Sequence, residues 1–452
     1  MKPLAEEWVR RIATGFASVC TPVSLLFAAG IAHGTALAVQ PVADATATAV
    51  TSATRSILSD GAGAYATGKY RNLFVEAGHT QAEVDAKIEK AYQQLFHGDR
   101  DTQLLYFPAG ENETGPMAYI PDIQHNDVRS EGMSYGMMIA VQLNQKAEFD
   151  ALWNWSMTHM YHGDPKHPSY GFFSWQMHYD GTAMSEYPAP DGEEYYVMAL
   201  LFAAHRWGNG KGIYHYQEQA DTLLHHMIHR DWISGLVDGR PGTVGREVSL
   251  DNAMILFSPA RGNNFTDASY HLPAFYELWA RWGPPADRAF WIRAAQASRD
   301  FFVQSAHPAT GLIPNYGNFD GSPQRRAPDF REDAWRCASN WSVDWSWFAK
   351  DPRQRELSDR IQAFFESKGM DHYDAIWTID GHSLRPGHAS GLVATNAVAS
   401  LAATSQVRAK AFVEALWNAE IPSGRYSRYY DGLLYMMSLL HCSGQYRVWA
   451  PQ

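Results

Sequence analysis

Arg129-Ser130-Glu131-Gly132-Met133-Ser134-Tyr135-Gly136-Met137-Met138-Ile139-Ala140-Val141-Gln142 places one carboxylate at the head of an otherwise small, apolar, helix-forming run. Such a run suits a helix packed on nearly all sides. Ser130 is its expected N-cap, and Glu131 sits at the one end that can open on a cavity. A first-turn Glu taken alone does no more than favour the helix dipole. The pattern returns, however, in Ala189-Pro190-Asp191-Gly192-Glu193-Glu194-Tyr195-Tyr196-Val197 and in Phe330-Arg331-Glu332-Asp333-Ala334-Trp335-Arg336. Three acidic helix heads can converge on one cavity if their helices run the same way.

Working outward, apolar spacing predicts helices over 80–97, 147–161, 191–207, 214–230, 266–282, 285–305, 331–348, 352–367, 390–404, 407–418 and 427–441. With the opening helix this makes roughly a dozen, mostly in pairs joined by loops. Candidate strands are confined to 233–237 and 248–258, and residues 98–128 read as loop from their Pro and Gly content. No fixed-period repeat favours an open solenoid. The expected fold is therefore all-α: a closed ring of helical hairpins whose inner helices gather their N-terminal ends at one face. The long loop 162–190, rich in Trp, Tyr, His, Gly and Pro, reads as a binding surface.

Composition narrows the function. A net charge of −11 with no stripe of Lys and Arg argues against a nucleic-acid partner. Sixteen Trp and 23 Tyr supply flat faces for either a large core or stacked sugar rings. Cys20, Cys337 and Cys442 are too few and too scattered for a disulfide framework or a thiolate zinc site. Arg10-Arg11 before a moderately apolar run, with Ala36-Leu37-Ala38 after it, predicts a signal peptide over 1–38 and a periplasmic or secreted address; a cytoplasmic one is the alternative. An Ala/Thr/Ser-rich linker follows over 39–62, then a single folded unit over 63–452. No later segment is long and apolar enough to span a membrane.

Paired carboxylates suit glycoside hydrolysis, which needs one protonated acid to drive off the leaving oxygen and one ionised carboxylate to activate water. A helix N-terminus depresses a carboxyl pKa, so Glu131 would need apolar burial, or a neighbour such as Asp191, to stay protonated.

The segments Ser130-Glu131-Gly132-Met133-Ser134-Tyr135-Gly136-Met137, Asp191-Gly192-Glu193, Asp333-Ala334-Trp335-Arg336 and Tyr429-Tyr430-Asp431-Gly432-Leu433-Leu434-Tyr435 resemble the glycoside hydrolases of family 8. Within that family, Ser269-Tyr270-His271-Leu272-Pro273-Ala274-Phe275-Tyr276 and Leu439-Leu440-His441-Cys442-Ser443-Gly444 are similar to the reducing-end xylose-releasing exo-oligoxylanases. The resemblance implies an (α/α)6 barrel, an inverting mechanism without metal or cofactor, and xylo-oligosaccharides as substrate, in a monomer or weak oligomer. It makes Glu131 the general acid, Asp333 the general base and Asp191 the residue that binds and distorts the sugar at the scissile bond. It also implies that Tyr270 holds the attacking water, Arg336 supports the base, and Trp175 and Tyr430 stack on sugars. Such exo-enzymes carry a Leu-His-Pro loop that blocks the aglycone side. Here the region reads Leu384-Arg385-Pro386-Gly387-His388. Either His388 takes the histidine's place or Arg385 replaces it, which leaves an endo-1,4-β-xylanase as the near alternative. A non-catalytic sugar-binding ring is the alternative from another class.

His225 and His229 lie one helical turn apart, a spacing that can bind metal. Without a Glu partner as in His-Glu-x-x-His they read as a polar helix face. Asp122 and Asp127, ahead of the opening helix, read as turn residues.

Overall fold

The computed structural model describes residues 62–451, so the predicted signal segment and nearly all of the predicted linker lie outside the described residues. Twelve helices of nine residues or more carry the architecture: α1 (Gln81–His97), α2 (Ser130–Leu143), α3 (Lys146–Trp155), α4 (Pro190–Trp207), α5 (Tyr216–His229), α6 (Pro273–Trp282), α7 (Arg288–Ser305), α8 (Arg336–Phe348), α9 (Arg353–Lys368), α10 (Ser390–Val398), α11 (Gln406–Asn418) and α12 (Tyr430–Cys442).

Their burial sorts them into two layers. Every residue of α4 from Pro190 to Ala203 is buried, and α2 is buried along almost its whole length. In α1, by contrast, the buried positions Val84, Ile88, Ala91, Tyr92 and Leu95 form one stripe. The even-numbered helices make an inner ring. In that ring α2 packs on α4, α8 on α6 and α10, and α12 on α10 and α2, while the Tyr195–Phe275 contact joins α4 to α6. The outer helices α3, α5, α7, α9 and α11 each pack against the inner helix that precedes them, and α1 packs against α12. This is the (α/α)6 barrel, closed by pairing the first outer helix with the last inner one.

The tryptophans serve mainly the core. Trp153, Trp155, Trp279, Trp291, Trp341 and Trp347 are fully buried. Cys337 and Cys442 are buried free thiols, and Cys20 lies outside the described residues. Among the described residues no helix is long and apolar enough to cross a membrane.

Several expected boundaries move for local reasons. Residues 98–128 are not all loop: β1 (Phe107–Asn112) and β2 (Gly115–Tyr119) form an antiparallel hairpin. Next, β3 (Pro121–Asp122), β4 (Asp127–Arg129), β5 (Gln176–Met177) and β6 (Ala183–Ser185) form a small four-stranded sheet. The helix expected over 266–282 starts only at Pro273, because the residue before a proline is pushed out of the α region and Leu272 has φ −119. Residues 266–270 are instead a two-residue strand and a 3-10 turn. The helix expected from 331 likewise opens as a 3-10 turn, Glu332–Trp335. The strand Ile233–Val237 does form, paired with Arg240–Val244, which the sequence reading left unassigned. The 248–258 run yields only the short pair Val248–Ser249 and Met254–Ile255.

A buried ionic network ties neighbouring hairpins together. Arg299 on α7 donates from Nε and Nη2 to both oxygens of Asp344 on α8, each at 2.7 Å, and reaches Glu277 on α6 at 3.0 Å. Gln354 on α9 donates to the same Asp344 at 2.6 Å. Asp344 is fully buried and Arg299 is 4% exposed. Removing one member would strand an uncompensated charge, so Asp344→Ala should cost about 3–5 kcal/mol. The loss would appear as a lowered urea midpoint followed by circular dichroism, and an unshifted midpoint would show that the network adds nothing to stability.

Candidate active site

The N-terminal ends of the inner helices meet at one face, and Arg336, the first residue of α8, stands at their centre. Its Nη1 lies 3.0 Å from Oε2 of Glu131 at the head of α2 and 3.0 Å from Oδ2 of Asp191 at the head of α4. The same nitrogen reaches the Tyr135 hydroxyl. Nη2 donates to Ser269 Oγ at 2.7 Å and lies 3.4 Å from Asp333 Oδ1 in the 3-10 turn. Arg336 is 4% exposed. One buried cation therefore gathers the three carboxylates expected from the sequence.

Two glycines permit this approach. A Cβ on Gly132 would sit 2.6 Å from the Tyr429 ring, and one on Gly192 would sit 2.5 Å from Ser130 Oγ. Gly132 thus lets Tyr429 lie across the start of α2, where its hydroxyl is 3.0 Å from Glu131 Oε1. Gly192 lets the heads of α2 and α4 touch. Ser130 is not the N-cap. Arg129 holds that position, and Ser130 is the first helical residue, its amide donating to Trp175 O at 3.1 Å.

Burial pushes the Glu131 carboxyl up from 4.5 to about 7; Arg336 opposes this, and Asp191 and Asp333 reinforce it. Because Oε2 faces an arginine N–H, which only donates, the carboxyl proton belongs on Oε1, the oxygen beside Tyr429. Burial also raises Asp191, again against Arg336. Asp333 is the most open of the three at 30% side-chain exposure, and both its contacts are donors: Asn315 Nδ2 at 2.9 Å and Arg336 Nη2. One carboxyl able to carry a proton thus shares a cleft with a carboxylate that only accepts.

Tyr270 lies buried in the 3-10 turn ahead of α6. Burial and the carboxylates of Asp191, Asp267 and Asp333 push its phenol well up, so it stays protonated. Beneath it, the Tyr276 hydroxyl is 2.5 Å from Glu194 Oε1 and 2.6 Å from the Tyr270 carbonyl. A single phenolic proton goes to the carbonyl, which cannot donate. Glu194, raised well above the usual carboxylate range by burial, therefore carries its own proton and donates to the tyrosine oxygen.

The aromatics line the rim. Trp175 is half-buried beneath the Arg129 guanidinium, 5.6 Å away, which also lies over Tyr429 at 5.9 Å. Arg129 is held by Asp122 at 3.0 Å and Asp127 at 3.1 Å, so those two acids anchor the start of α2. Tyr430 is half-buried and donates to Glu332 O at 2.8 Å. His388 is not brought to the carboxylates: it is exposed, and its Nδ1 lies 2.8 Å from the carbonyl of Tyr373. Arg385 comes closer, 3.9 Å from Glu332, but is 62% exposed.

Tyr429, Asn315, Ser269, Tyr135 and Arg129 were not singled out by the sequence. Tyr429 stands inside a motif that was, next to Tyr430, whereas nothing in the sequence links Asn315 to Asp333.

A Paenibacillus barcinonensis reducing-end xylose-releasing exo-oligoxylanase is 44% identical over 86% of this chain and 99% of its own length. Its counterpart from Halalkalibacterium halodurans is 41% identical over 86% and 97%. The solved structure of a Teredinibacter turnerae xylanase, a catalytic mutant with xylohexaose, superposes with a TM-score of 0.84 at 51% identity, covering 86% of this chain and all of the other. With residues 121–444 matching the model of the glycosyl hydrolases of family 8, the chain belongs to that family and is a glycosidase.

Proposed function

We propose that the chain is an inverting hydrolase of β-1,4-xylo-oligosaccharides that releases xylose from the reducing end. The observation that carries this reading is the bridge of one guanidinium between Glu131, raised to about 7, and Asp333, ringed by donors. Two nitrogens of that guanidinium stand between the carboxylates, which leaves room for the separation of about 6.5–9.5 Å that admits an attacking water.

In this reading Glu131 delivers the proton from Oε1 to the glycosidic oxygen as the bond breaks. Asp333 takes a proton from water, which Tyr270 helps to hold, as that water attacks the opposite face of the sugar. Asp191, fixed by Arg336, binds the hydroxyls of the sugar undergoing cleavage. Trp175 and Tyr430 offer ring faces to the sugars on either side. Residues 1–38 fit a leader and 39–62 a linker, and with them a periplasmic or secreted site of action.

An endo-acting xylanase is the second reading, and it rests on the rim. Leu384 and Arg385 are exposed, the Leu384-Arg385-Pro386 segment lacks the His of the Leu-His-Pro loop that the resemblance leads one to expect, and the 51%-identical relative is a xylanase. Xylotetraose labelled at its reducing end separates the two: labelled xylose appearing first, with polymeric xylan almost untouched, supports exo action. A spread of internal fragments overturns it in favour of the endo reading.

Three further outcomes follow from the site. Inversion should place the α-anomer on the newly formed reducing end of the shortened oligosaccharide in early proton NMR spectra; a β-anomer would mean retention. Glu131→Gln should lower kcat by about 10²–10⁴-fold while oligosaccharide binding survives, and unchanged turnover would remove Glu131 from the acid role. Because burial raises the Glu131 carboxyl, its protonated form persists up to about pH 7 and is lost above it. The kcat/KM profile should therefore show an alkaline limb near pH 7, falling about tenfold per pH unit beyond it.

A further inference from the structure

On the outer layer, α5 carries His225 and His229 one turn apart on the same exposed face, their ring centroids 4.8 Å apart. The sequence shows no Glu between them of the His-Glu-x-x-His kind, but the fold brings a buried carboxylate to them. Asp287, at the end of the 3-10 turn Pro285–Asp287 that leads into α7, is 4% exposed and places Oδ1 2.6 Å from His229 Nε2. One ligand atom from each of His225, His229 and Asp287 lies within 4.8 Å of the other two. We propose that these three side chains bind a divalent transition-metal ion, zinc or a cation of similar ligand preference, and so join α5 to the turn ahead of α7.

Two imidazoles and a carboxylate form a donor set that zinc accepts, with a fourth position left for water. Tetrahedral coordination with bonds of about 2.0–2.2 Å sets ligand atoms roughly 3.3 Å apart. The His229–Asp287 pair therefore opens slightly, and His225 swings in by about an ångström. Burial fixes the carboxylate, while the exposed imidazoles are free to turn. A hydrogen bond between His229 and Asp287 alone would give His225 no part, and this is what the experiment separates. The ion acts as a cross-link between two elements of the outer layer and takes no part in the hydrolysis.

The test uses the full-length, untagged protein, stripped with chelator and titrated with Zn²⁺ by calorimetry and with Co²⁺ by visible absorption. One ion should bind per chain, Co²⁺ should give the intense bands of a tetrahedral site, and saturating Zn²⁺ should raise Tm by a few degrees. His225→Gln should weaken Zn²⁺ binding by no less than the roughly 10–100-fold that even an outer-shell partner is worth, leaving metal-free Tm and hydrolysis unchanged. Asp287→Asn should weaken binding similarly and abolish the tetrahedral Co²⁺ bands. Absence of stoichiometric binding, or affinity that His225→Gln leaves intact, would overturn the proposal. Binding unaffected by Asp287→Asn would also overturn it, because the two histidines alone would then account for the ion.

Discussion

The contact on which the site depends is the buried guanidinium of Arg336 among three carboxyls. A lone cation in a nearly dry cleft costs several kcal/mol to desolvate, and only close anionic partners recover that cost. Glu131, Asp191 and Asp333 supply them from three different elements, within 3.0, 3.0 and 3.4 Å. The same guanidinium spaces the three acids apart, so their mutual repulsion does not splay the helix heads.

The state of Glu131 is a contest among three effects. The α2 terminus favours the ionised form by about 0.3–1 kcal/mol, and Arg336 favours it further. Burial wins nonetheless: a rise from 4.5 to about 7 corresponds to about 3 kcal/mol in favour of the neutral acid. The apolar run behind Glu131, which first marked this stretch as a packed helix, is therefore also what keeps the acid protonated. Asp333 sits in a 3-10 turn with 30% of its side chain open. Glu131 at the head of α2 and Asp333 ahead of α8, three hairpins apart around the ring, thus sit at different depths.

Periodicity made the helices legible, since an inner helix reads as apolar throughout and an outer one as a stripe. It could not mark where they begin when the first turn is 3-10, as at Ala268 and Glu332, because i→i+3 turns carry the same side chains as the helix they precede. The acidic heads were legible because each precedes an apolar run. Their partners were not. Tyr429 is 298 positions from Glu131 and Asn315 is 18 from Asp333, and neither pairing follows a local period. Ser130 was misread as a cap because a short hydroxyl before a helix ordinarily is one. Here β4 runs directly into α2, and sheet pairing of Arg129 with Gln176 sets the entry instead.

Ring closure and acid chemistry are one event in this fold. The last helix, α12, packs on both α2 and α1, and the residue just before it, Tyr429, covers the carboxyl of Glu131. The first residue of the same helix, Tyr430, reaches the 3-10 turn that bears Asp333. The contact between Gly132 and Tyr429 is where this coupling is tightest: a methyl group at position 132 would hold the tyrosine ring away from the helix head. Water would then reach Oε1, and the acid would lose its proton while the ring stayed largely closed. A short stretch of sequence thus fixes both where the barrel seals and which of its carboxyls is an acid.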